Sequence, residues 1–155
     1  MLNVVKDLRD DTLLVKLTGS IEENVDFAAL IGPPTVPKMD LILKEVPRIN
    51  SVGVKAWIKY FSGLAAKGIQ LRFLECSTAI VEQINLISNF VCNGTVESIY
   101  VPFCCQSCST ELLGLFRTSD LKKINFQIPD LKCSKCGSTA SFDDIPEEYF
   151  GFLTR

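Results

Sequence analysis

VKAWIKYFSGLAAKGIQLRF, residues Val54–Phe73, changes its hydrophobic period partway along. Val54, Trp57, Ile58, Phe61 and Leu64 recur at steps of three and four, with one single step, and draw one apolar stripe along a helix. Gly68 ends that pattern. Ile69, Leu71 and Phe73 then alternate, which is the period of a strand. Upstream, Asp40–Leu43 is a brief apolar run of the kind that forms a buried strand. Strand and helix thus alternate from residue 39 onward, and the expected class is α/β: a mixed or largely parallel sheet of about four to five strands backed by helices.

Asn3–Leu8 and Thr12–Thr18 read as two further strands joined at Arg9, Asp10 and Asp11, the second placing Leu13, Val15 and Leu17 on one face. Asp26–Ile31 predicts a short helix stopped by Gly32, Pro33 and Pro34. Ile80, Ile84, Ile87 and Val91 draw another helical stripe, and Glu97–Val101 reads as a final strand. The apolar stripes are all expected to be spent in the core, leaving no surface for a dimer.

From residue 101 the chain reads differently. Cys105-Gln-Ser-Cys108 and Cys133-Ser-Lys-Cys136 are separated by 24 residues. Each pair can turn two sulfurs toward one point, and a hairpin can bring the pairs together. Four thiolates then form the closed tetrahedral shell that suits structural zinc, with no open position for water or substrate. Cys104 is an alternative first ligand at a looser spacing, and reversible disulfides are the rival chemistry. Gly137 suits a tight turn that aims N–H groups at sulfur, and Lys132 and Lys135 offset part of the charge. Cys76 and Cys92 stand alone and read as small buried apolar residues. Ile124, Phe126 and Ile128 alternate as a strand leading to Cys133, with Glu111–Arg117 its hairpin partner across Thr118–Lys122. Pro146 fits the first turn of a C-terminal helix carrying Tyr149, Phe150 and Leu153, with Asp143, Asp144, Glu147 and Glu148 at its positive end. Fifty-five residues bury little core alone, so a metal cross-link is physically useful there.

The 155 residues carry a net charge of −2. Residues 1–100 hold 10 basic and 11 acidic side chains and residues 101–155 hold 6 and 7, so neither part has the footprint of a nucleic-acid binder. Met1–Asp11 interleaves charges with apolar residues, no run approaches the ~20 apolar residues of a membrane span, and paired thiols without an export signal suit a reducing cytoplasm. The absence of histidine removes the commonest general base and any imidazole ligand.

Leu17–Ile21 (LTGSI), the run Leu41–Leu43, and Ile49-Asn50-Ser51-Val52-Gly53-Val54 occur in that order before the striped helix and the Gly68-led strand. In this the first hundred residues resemble a STAS domain, the fold of bacterial anti-sigma-factor antagonists and of the cytosolic tails of sulfate transporters. The resemblance implies a regulatory domain over residues 1–100; the cysteine pairs and the Pro146 helix make residues 101–155 a zinc-ribbon-like extension with a C-terminal helix. It also implies that Ser51 is the position phosphorylated by a partner kinase that is itself the anti-sigma factor. Asn50 stands where the family has Asp, and Val52 where it has Ser or Thr.

Independently of any family, Asn50 or Ser51 caps the helix that begins near Val52, and Gly53 lets the backbone approach a neighbour. Ser51, Lys55, Lys59 and Ser62 lie opposite the apolar stripe, with Arg48 just before the turn. A phosphate on Ser51 would meet the helix's positive end and two cations; as an unmodified residue, Ser51 is a cap beside a solvated face. Three classes of function follow: a non-enzymatic module that binds a protein partner through Arg48, Asn50, Ser51 and Lys55; a zinc-ribbon nucleic-acid binder involved in transcription, disfavoured by charge; and an enzyme, disfavoured by the lack of histidine and the full thiolate shell.

Overall fold

The computed structural model describes residues 2–154. Strands β1 (Asn3–Arg9) and β2 (Thr12–Thr18) form an antiparallel hairpin in which Lys6 faces Val15 and Leu8 faces Leu13. Helix α1 (Phe27–Ile31) is capped by Asp26, which accepts the Ala29 N–H, and stops at Gly32. Strand β3 (Lys38–Glu45), helix α2 (Ser51–Ala66), strand β4 (Gln70–Leu74), helix α3 (Thr78–Leu86) and the short strand β5 (Thr95–Val96) follow. The sheet order is β1-β2-β3-β4-β5, with every pair after the first parallel. This is the five-stranded mixed sheet backed by helices that the alternation predicts.

The face of α2 predicted to be apolar packs onto the sheet. Trp57, Phe61, Val15, Leu17, Met39 and Leu41 are all fully buried. Trp57 stacks on Phe90 with ring centroids 4.8 Å apart and donates its indole N–H to the Phe90 carbonyl at 2.9 Å, so its one polar group is satisfied inside the core. On the opposite sheet face Asp40 accepts two bonds from the Arg72 guanidinium, at 2.8 and 2.6 Å, between directly paired residues of β3 and β4.

The second sheet begins where the first ends. Strand β6 (Ser98–Cys105) follows β5 after Glu97, and its first residues still lie along the end of β4: Ile99 bridges Cys76, the Cys76 N–H donates to the Ser98 carbonyl, and the Tyr100 N–H to the Cys76 carbonyl. On one side β6 pairs with β7 (Glu111–Arg117) from Ser98 onward, and at its far end it pairs on the other side with β9 (Thr139–Phe142), with β8 (Leu131–Lys132) outside β9. Helices α5 (Pro146–Tyr149) and α6 (Gly151–Thr154) return to α3, where the Asn85 amide donates to the Tyr149 carbonyl and accepts the Phe152 N–H. One contiguous core joins Trp57 and Phe73 to Val101, Phe103 and Phe150.

Three expectations are corrected. Residues 124–128 are not a strand. Helix α4 (Thr118–Lys123) occupies the supposed turn, and Asn125 and Phe126 then adopt φ of +52° and +59°, which no strand tolerates. Phe126 is held there by stacking on Phe150, 5.5 Å away, so tertiary packing overrides the local alternation. The hairpin partner of Glu111–Arg117 is accordingly β6, across the first cysteine pair. The stripe through Val91 outruns its helix: α3 stops at Leu86, and the chain turns so that Phe90 reaches Trp57. The predicted stripes do pack into the core, but three apolar residues outside them, Leu86, Leu113 and Leu115, are 70%, 60% and 50% exposed.

Candidate metal centre and the Ser51 turn

Each Cys-x-x-Cys pair lies in the turn of its own hairpin, the first between β6 and β7, the second between β8 and β9. The two turns share one hydrogen-bond pattern. Cys105 receives the Ser109 N–H on its carbonyl at 3.1 Å and donates its N–H to the Thr110 carbonyl at 2.9 Å; Cys133 does the same with Gly137 and Ser138 at 2.9 and 2.7 Å. Both turns need a left-handed residue at the same place, Ser109 with φ +60° and Gly137 with φ +78°. Pairing of β6 with β9 brings the two turns face to face.

The sulfurs of Cys105, Cys108, Cys133 and Cys136 lie within 4.8 Å of one another. Cys105 to Cys136 is 3.4 Å and Cys108 to Cys133 is 3.7 Å. A tetrahedral shell with metal–sulfur bonds of about 2.3 Å has edges of about 3.8 Å, so the cluster can hold a metal ion with small adjustments. One member of each pair, Cys105 and Cys133, is buried at 2% exposure, and the other faces solvent. Backbone N–H groups of Ser107 and Cys108 point at the Cys105 sulfur at 3.4 and 3.5 Å, and that of Lys135 at the Cys133 sulfur at 3.4 Å. Such dipoles favour thiolate. The Gly137 N–H instead goes to the Cys133 carbonyl, so its part is the conformation of the turn rather than a bond to sulfur.

Even without a metal the thiols are unequal. Cys108 is drawn down to about 6 by hydrogen bonds from the Thr110 hydroxyl and N–H. Cys136 is lowered by the Ser138 N–H and hydroxyl. Cys105 accepts the Cys108 and Ser107 N–H groups, which pull it down, yet burial and proton sharing with Cys136 and Cys108 push it up to about 11. Cys104 is outside the cluster, its thiol turned to the Cys105 carbonyl at 3.8 Å. Cys76 and Cys92 are buried, with thiols raised by desolvation. Thr110, 2.9 Å from the Cys108 sulfur, and Ser109 belong to the site although nothing in the Cys-x-x-Cys spacing marks them.

At the other candidate site, Asn50 caps α2: its side-chain carbonyl accepts the Gly53 N–H at 2.8 Å and its amide donates to Glu23 at 3.0 Å. Ser51 is the first helical residue, and it is exposed, as are Arg48, Lys55, Lys59 and Ser62. Among the described residues neither Arg48 nor Lys55 takes part in an ion pair. No residue of the Ser51 turn belongs to the cysteine cluster.

Fold and site together define an α/β protein with a second antiparallel sheet built around a four-cysteine cluster able to bind a metal. No helix among the described residues is long and apolar enough to cross a membrane. Compared with known proteins, the chain matches no family model and shows significant similarity to no curated sequence.

Proposed function

We propose that this chain is a non-enzymatic regulatory module of the cytoplasm that binds a protein partner through the turn before α2, while the four cysteines hold a structural zinc ion. The observation that carries the reading is the division of labour at the turn. Asn50 makes the capping bond, which leaves the Ser51 hydroxyl exposed and uncommitted at the positive end of a helix. A phosphate there would meet free N–H groups of the first turn and the Arg48 and Lys55 cations, and would reverse the charge of the contact. The sheet order, with a hairpin leading into parallel strands, and the position of Ser51 at the start of α2 in the connection from β3 support the resemblance to STAS domains. That resemblance makes an anti-sigma-factor-type kinase, or another signalling complex, the class of partner.

Zinc is the proposed metal because four thiolates and no imidazole form a soft, closed tetrahedral set. Affinity capture from native lysate with wild type and Ser51→Asp as baits tests the contact. A partner held by wild type and lost by the variant is expected. Identical partners on both baits, with Ser51 unmodified in every growth state, would refute the switch.

A further inference from the structure

A groove of about 1070 Å³ runs between α3 and the metal-bearing sheet. Its apolar lining includes Leu86 from α3, Leu112 and Leu113 from β7, and Phe103 from β6. Leu86 and Leu113 are among the most exposed large apolar residues of the chain, so the groove presents apolar surface to water at a cost that an occupant would remove.

Its ionisable lining has one sign apart from the neutral phenol of Tyr149. Glu82 stands on α3, Glu111 at the start of β7, and Asp143, Asp144 and Glu148 around the start of α5. No lysine or arginine lines the groove. Among the described residues none of the five carboxylates is held in an ion pair. The chain as a whole has a net charge of only −2, so this local excess of negative charge is a property of the groove rather than of the composition. Five unneutralised carboxylates around an apolar floor repel one another and repel nucleic acid and anionic lipid alike; cations flanking an apolar anchor relieve both costs. The walls are fixed to each other by the Asn85 bonds to Tyr149 and Phe152, which preorganises the groove.

We propose that this groove docks a basic amphipathic segment of a partner protein, its apolar side chains on Leu86, Leu112 and Leu113 and its lysines or arginines against the five carboxylates. The proposal deepens the reading of the chain as a protein-binding module, but it uses a surface other than the Ser51 hydroxyl.

The test is an amide-resolved NMR titration of the zinc-loaded full chain with a helical peptide having one leucine face and one lysine face, beside a matched leucine–glutamate peptide. The lysine peptide is expected to give saturable, salt-weakened shifts at Glu82, Leu86, Leu113 and Asp144, and to bind at least about tenfold more weakly to the double variant Glu82→Lys, Glu148→Lys. Both acids are exposed and unpaired, so the variant should fold, which its zinc content verifies. Absence of shifts, shifts elsewhere, equal binding of the glutamate peptide, or an unaffected double variant would overturn the proposal. Ser51→Asp separates the two readings: it should bind the lysine peptide like wild type even where it has lost a partner captured through the turn.

Discussion

Gly53 and Gly63 share α2 but face opposite demands. A Cβ on Gly53 would sit 2.2 Å from the Ile21 carbonyl oxygen, whereas one on Gly63 would meet nothing within 4 Å. Gly53→Ala should therefore force the start of α2 off the sheet and destabilise the protein by about 3 kcal/mol, as overpacking against fixed backbone does. Gly63→Ala removes a helix-interior glycine from open space and should stabilise by about 1 kcal/mol. Paired urea titrations check both signs. Ser109 makes a similar case: its turn requires a left-handed residue that Gly137 supplies in the second knuckle, so Ser109→Gly should raise stability by about 1 kcal/mol without altering metal content.

With zinc held as proposed, the two knuckles and the strands that carry them are expected to stand or fall with the metal. Structural zinc contributes on the order of 10 kcal/mol of folding free energy, so Cys136→Ser or a strong chelator should release amide-exchange protection across β7, β8 and β9. Acid should act on the same elements. Near neutral pH Cys105, at about 11, still holds its proton in the metal-free chain, while Cys108, at about 6, is already thiolate. Metal capture must expel at least the Cys105 proton, so apparent zinc affinity should rise by at least about tenfold per pH unit between roughly 7 and 10, and fall more steeply once Cys108 protonates below about 6. Competition against a chromophoric chelator at several pH values measures this slope, and a flat profile would contradict the thiol assignments.

At this scale the sequence is legible wherever one periodicity governs a run. The α2 stripe, the limits of β2 and β7, and the cysteine spacing are all local signals. The path from Lys122 to Pro129 is not: Phe126 leaves the alternating pattern because Phe150, two dozen residues on, offers it a ring to stack against. Likewise Val91 repeats at helical spacing, but the chain obeys the demand of Trp57 for the Phe90 ring and carbonyl. The acidic groove was invisible for the same reason, since α3, β7 and α5 contribute to it from three distant parts of the chain.

Trp57 is the chain's one tryptophan and its ring contacts are with Phe27, Phe61, Phe73 and Phe90 of the first sheet and its helices, so it reports first on that part of the shared core. Chelation is expected to leave its emission nearly unchanged while amide-exchange protection around the knuckles disappears, and subsequent urea to give a separate, later change in Trp57. One coincident transition would mean that loss of the metal unfolds the whole core.

The passage of one strand from the first sheet to the second has a further consequence for anyone dividing the molecule. The opening residues of β6 are bonded to Cys76, and the Thr118 N–H reaches back to the Glu97 carbonyl at 3.0 Å. A fragment beginning at Ser98 would lose the Cys76 pairing and bare the Ser98 carbonyl and the Tyr100 N–H beside the apolar side chains of Ile99 and Val101. Such an edge is a template for other copies, and the isolated fragment should self-associate where the intact chain shields it.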